Sequence, residues 1–163
     1  MGIHRSVLRR VPAFDPELGP GALGFGDDSL FSWQLCEAGL RLLFVPDAIV
    51  EHHPDRKRLS RSEWLAASRA RGRGEAYLLH HWHHGNLRNP AFRLCYVAGK
   101  LYLRRLLQPP PALADEGCPH WEMSYVETIE KCKAFLKEHK RARNYSKRGL
   151  VRLDAESPNR NQN

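Results

Sequence analysis

Three groups of side chains in this sequence are of types that do chemistry. Asp27 and Asp28 stand side by side where a glycine-rich stretch gives way to an apolar, periodic one. Glu51, His52 and His53 close the next apolar stretch, and His80, His81, His83 and His84 crowd a third position. A carboxylate over a flexible loop can act as a general base or hold a metal-linked substrate. Its plainer use is to cap the free N–H groups of a helix. One acid suffices for a cap, so the second must be solvated or used. Imidazole beside carboxylate suits a divalent metal. Strand geometry sends His52 and His53 to opposite faces, so at most one of them is a ligand. On a helix, His80, His83 and His84 would share a face. No cysteine or acid lies near them in sequence to complete a metal site, which favours a solvated helix end.

The elements that must position these groups can be read in order. Ile3, Val7, Leu8 and Val11, with arginines between them, predict a short helix over 1–11. Residues 12–26 form a loop, with Gly19, Gly21, Gly24 and Gly26 free to approach a ligand closely. A helix is predicted over 27–38, capped by Asp27 or Asp28 and ended by Gly39. RLLFVP, stopped by Pro46, and AIVEHH read as two strands. Ser60 and Glu63 form a capping box for a helix over 59–84, with a kink or break expected at Gly72 and Gly74. Residues 90–107 predict a further helix, on which Arg93, Lys100 and Arg104 share one face. That pattern fits a helix lying in a membrane interface, and equally a core helix with one wet face. A last helix spans 120–140, with Trp121, Tyr125, Ile129, Cys132 and Leu136 on one stripe.

With 163 residues the chain can bury a real core. Its formal charge of +8 favours anionic partners. The four cysteines make no C-x-x-C pair and read as reduced thiols of an intracellular protein. No apolar run approaches the roughly 20 residues of a spanning helix. MGIHRS fits the short M-G-x-x-x-S myristoylation pattern.

RSVLRRVPAFDPELG, GFGDD, SLFSWQLCEAG, LRLLF and VPDAIVEHH follow one another through residues 5–53. In order and spacing this series resembles the C-terminal half of family 2 glycosyltransferases of GT-A fold, and the related galactosyltransferase C-terminal module. The resemblance implies an α/β fold here, a partial GT-A domain with a mainly helical C-terminal extension. It implies that Asp28 is the general base that deprotonates the acceptor hydroxyl, with Asp27 its paired acid. Gly24, Phe25 and Gly26 would line the acceptor side, joined by Trp33. His52 would help hold the metal or the diphosphate, with His53 as its neighbouring alternative. Gln34 stands where the family has an arginine. The cofactor implied is Mn²⁺ or Mg²⁺. The D-x-D donor-site motif occurs nowhere in the chain, so a separate chain carrying the donor-binding half is expected.

These readings divide the chain into an acceptor-side part (1–58), a helical extension that touches a membrane surface (59–107), a linker (108–119), a C-terminal helix (120–149) and a disordered tail (150–163). The function expected is hexosyl transfer from a nucleotide-sugar to a carbohydrate or lipid-linked acceptor, by a truncated or split enzyme. The location expected is cytoplasmic and peripheral to the membrane. The alternative is a non-enzymatic basic module that binds nucleic acid or anionic membrane through Arg69, Arg71, Arg73 and the basic helix ends. In the transferase reading nucleic acid is not a partner.

Overall fold

The structure is a computed structural model that describes residues 2–11, 13–53, 55–108 and 117–153. Four α-helices carry it: α1 (Asp27–Glu37), α2 (Arg61–His81), α3 (Pro90–Leu107) and α4 (His120–Glu138). Short 3-10 turns occupy Arg5–Arg9 and Arg56–Leu59. Among the described residues there is no strand, so the expected α/β class is corrected to all-helical. The strands expected from RLLFVP and AIVEHH are instead one exposed connection. Their composition favours strands, but a strand exists only with a neighbour to take its backbone hydrogen bonds. Within residues 41–53 the backbone bond present is the turn from Ala48 N–H to the Val45 carbonyl, at 3.1 Å.

α2 is the spine. Ser60 caps it as expected, its hydroxyl accepting the Glu63 N–H at 3.4 Å. Gly72 and Gly74 do not break it. A methyl group on Gly72 would lie 2.3 Å from the Glu127 carbonyl oxygen of α4, and one on Gly74 would lie 2.6 Å from the Phe25 carbonyl oxygen. The two glycines are therefore contact points, where α2 meets α4 on one side and the glycine loop on the other. One core cluster joins Leu65 of α2, Val97 and Leu101 of α3, and Val126 and Ile129 of α4. A second joins Leu30 of α1 to Tyr77, Leu78 and Trp82, with Leu18 and Tyr145. A third holds Phe31 and Leu35 against Val11.

Two buried ionic clusters lock these layers. The Glu122 side chain has no solvent exposure and accepts from Arg61 of α2 and from Arg105 of α3, the latter at 2.7 Å. Burial would raise its pKa, but the two guanidiniums outweigh that and hold the carboxyl below its ordinary value. The same burial, with Glu122 alongside, pushes the Cys118 thiol up to about 11. All four cysteines are free thiols. The second cluster surrounds Asp15 and fixes the loop that carries the candidate site.

Candidate functional site

Asp15 begins the ordering of the loop. Its side chain has no solvent exposure. One oxygen accepts from the hydroxyls of Tyr77 at 2.6 Å and Tyr145 at 2.7 Å. The other accepts from Arg152 at 2.9 Å and from the Glu17 N–H at 2.9 Å. Glu17 in turn binds Arg141, Arg152 and the Asn144 amide. The bond from Arg141 is the chief reason its carboxyl sits below the ordinary value. Burial and the Asp15 carboxylate raise the Tyr77 phenol, so it stays a donor. The network thus ties the loop to α2 and to the segment after α4. From it the chain climbs through tight turns, with the Leu23 N–H on the Glu17 carbonyl at 3.2 Å and the Gly24 N–H on the Gly19 carbonyl at 2.7 Å.

The loop ends at Gly26, which is the N-cap of α1 with φ of 100°. The expectation that Asp27 or Asp28 is the cap is corrected: both lie inside the first turn. A cap at positive φ suits glycine, and it leaves both acids at the positive end of the helix. Asp27 is half-buried and lies over Gly19, where an added methyl would come within 2.7 Å of its Oδ2. Asp28 is exposed. Among the described residues its hydrogen bonds go to Ser29 alone, from the N–H at 2.7 Å and the hydroxyl at 3.3 Å.

α2 backs this loop. Arg71 lies over the Phe25 ring at 5.3 Å, and Arg73 donates to the Leu23 carbonyl at 3.4 Å. The site residues Gly24, Phe25, Gly26, Asp27 and Asp28 are therefore brought together as one rim. Trp33 is not on that rim. It sits five residues beyond Asp28, about 140° around the helix, stacked on Trp82 at 5.5 Å and beside His83. There it lines a depression of about 190 Å³ with Cys36, Glu37, Trp82, His83 and Arg148. Gln34 is buried and donates to the Gly149 carbonyl at 3.2 Å.

His52 and His53 are exposed on the 41–53 connection, with His53 3.3 Å from Glu51. No group of three His, Cys, Asp or Glu that could hold a metal occurs among the described residues. Among the described residues, then, no metal site forms around His52. The histidines at 80–84 are not the solvated helix end expected, since His80 and His81 are buried and the cluster bonds the end of α4 and the segment after it. His80 bonds the Arg141 carbonyl at 3.1 Å, and His84 bonds the Tyr145 carbonyl at 3.0 Å. His81 accepts the Asn144 N–H on Nδ1 at 3.1 Å, which leaves the proton on Nε2 to be donated to Glu138 at 2.8 Å.

Comparison with known proteins makes no assignment. No family model, no curated protein and no solved structure matches the chain. What sequence reasoning missed is the Asp15 network. The F-D-P-E-L-G run carries two acids, but their partners lie 62, 130 and 137 residues away. No local pattern links such distant positions.

Proposed function

We propose that this chain is the acceptor-side part of a glycosyltransferase, which carries the general base for sugar transfer from a nucleotide-sugar to an acceptor hydroxyl. The observation that carries this reading is the exposed Asp28 carboxylate, on the rim of a glycine turn that a buried network holds in place. In the reaction the acceptor oxygen bonds the anomeric carbon as its proton passes to Asp28. The bond from that carbon to the diphosphate breaks, and the nucleoside diphosphate leaves with the electron pair. Gly24, exposed beside Phe25, gives the acceptor close approach to the backbone, and buried Gly26 sets the turn beneath it.

The donor site and its Mn²⁺ or Mg²⁺ belong, in this reading, to another chain. The long apolar connection at 41–53 supports it, since its backbone has no sheet to join within the described residues. The basic-module alternative has less support. Of the three α2 arginines it uses for nucleic acid, Arg71 covers Phe25 and Arg73 holds Leu23.

The test is sugar transfer from a panel of labelled nucleotide-sugars in extracts of cells that express the full chain or Asp28→Asn. Expected is product that depends on the chain and falls about 100-fold or more in the variant, the usual scale for loss of a general base. Equal product from variant and wild type would overturn the reading.

A further inference from the structure

The outward face of α3 serves no purpose within the fold. Val97 and Leu101 point inward and join the core shared with α2 and α4. On the opposite side Phe92, Tyr96, Tyr102, Leu103, Leu106 and Leu107 are between 53% and 73% exposed. Their positions span an arc of about 140° on the helical wheel, and Cys95 and Gly99 lie within it. Surface apolar residues scattered singly are ordinary, but a continuous stripe along a whole helix marks an interaction surface.

The charges beside the stripe identify its occupant. Arg93, Lys100 and Arg104 line one border. No Asp or Glu occurs anywhere from 90 to 108. Lys100 reaches back over the Tyr96 ring at 4.7 Å, so its cation sits beside the aromatic edge of the stripe. Arg105, on the far border, is tied to Glu122. Among the described residues no helix is long and apolar enough to cross a membrane, and one side of α3 is already committed to the bundle. A stripe of aromatics and leucines with a cationic border therefore lies in the plane of an interface. Its apolar side enters the acyl boundary, and its cations meet anionic headgroups.

We propose that α3 docks the chain on an anionic lipid bilayer, with Phe92, Tyr96, Leu103, Leu106 and Leu107 inserted and Arg93 and Lys100 on the headgroups. Nucleic acid fits this face less well, because the centre of the stripe carries no charge to meet a phosphate backbone. A second copy of the chain would bring the same cations toward one another. The inference does not depend on the transfer reading and can fail or stand without it.

The test is sedimentation of the full chain with phosphatidylcholine vesicles, with and without phosphatidylserine. Expected is retention on the anionic vesicles that weakens as salt rises. Leu103→Ser combined with Leu106→Ser lowers retention about tenfold or more. Lys100→Glu lowers it about tenfold, on anionic vesicles only. Leu103→Trp shows a blue-shifted emission when anionic vesicles are added. These positions are exposed, so each variant keeps the circular dichroism and melting temperature of the parent. Equal retention on neutral and anionic vesicles would overturn the proposal. So would no retention at all, binding to duplex DNA with none to vesicles, or a dimer in solution that Leu103→Ser abolishes without vesicle binding.

Discussion

Asp15 and Asp28 stand one loop apart, and the fold treats them oppositely. Asp15 is sealed from solvent under two tyrosines, an arginine and a backbone N–H. Asp28 faces solvent, and among the described residues its hydrogen bonds go only to the residue after it. A buried carboxylate with four donors is fully occupied by holding structure. An exposed one at a helix start has lone pairs to spare. The difference separates holding from presenting: Asp15 fixes the loop, and Asp28 is presented by it, which is the role the proposed transfer reading needs.

The largest effect expected is on Asp15. Asp15→Ala removes the buried acceptor that Arg152 and two tyrosine hydroxyls share and costs about 3–5 kcal/mol, read as a loss of melting temperature. Asp28→Ala stays within about 0.5 kcal/mol of the parent. Equal losses at the two sites would erase the comparison.

Gly72→Ala comes next. It forces a methyl into the Glu127 carbonyl and costs about 2–3 kcal/mol of unfolding free energy. Gly39→Ala, where nothing lies within 4 Å, costs less; its price is the positive φ of 73° alone.

A smaller effect is expected from pH. Burial holds the His81 imidazole below its ordinary 6.5, and Glu138 opposes burial without overcoming it; His80 and Arg141 add to the depression. Burial depresses His83 likewise, helped by Arg148. The unfolded chain takes these protons near 6.5 while the native chain resists them. Their contribution is therefore fully present above that value and is lost as pH falls below it. Protonation of Nδ1 also breaks the Asn144 bond. Glu17 and Glu122, both held below 4.5 in the fold, add a second loss under that pH. Urea midpoints should be level from about pH 7 to 8 and fall in two steps below about pH 7, with His81→Gln removing part of the upper one.

The smallest effect belongs to the exposed connection. Phe44→Ser, at a side chain 89% exposed, should leave stability within about 0.5 kcal/mol, as a denaturant titration would read.

Much of the helical frame is legible in the sequence. α3 and α4 start where proline and periodicity place them, Ser60 opens α2, and α1 lies where periodicity puts it although Gly26 and neither acid is its cap. Two kinds of feature are not legible. Leu42 to Val45 carry the composition of a strand, but composition cannot supply the neighbouring strand that would fix them. Gly72 and Gly74 look like breaks because a helix disfavours glycine, while the reason for them is another element's backbone pressed against α2. The candidate site divides along the same line. The Gly24 to Asp28 rim is contiguous and can be read directly. Trp33 is turned away from it by the helical pitch, and Asp15 is bound by residues far along the chain. The tail expected from 150 is described only to 153, where Arg152 joins Asp15; residues 109–116 of the expected linker lie outside the described residues.

The central claim is that the Gly24 to Asp28 rim receives an acceptor sugar. A ¹H–¹⁵N correlation spectrum of the full chain, titrated with acceptor oligosaccharides, tests it most directly. The account predicts shifts confined to Gly24, Phe25, Gly26, Asp28 and Ser29 with at least one glycan, and binding weakened about tenfold or more in Asp28→Ala. Shifts that appear elsewhere and survive Asp28→Ala, or no shift with any glycan, would contradict it.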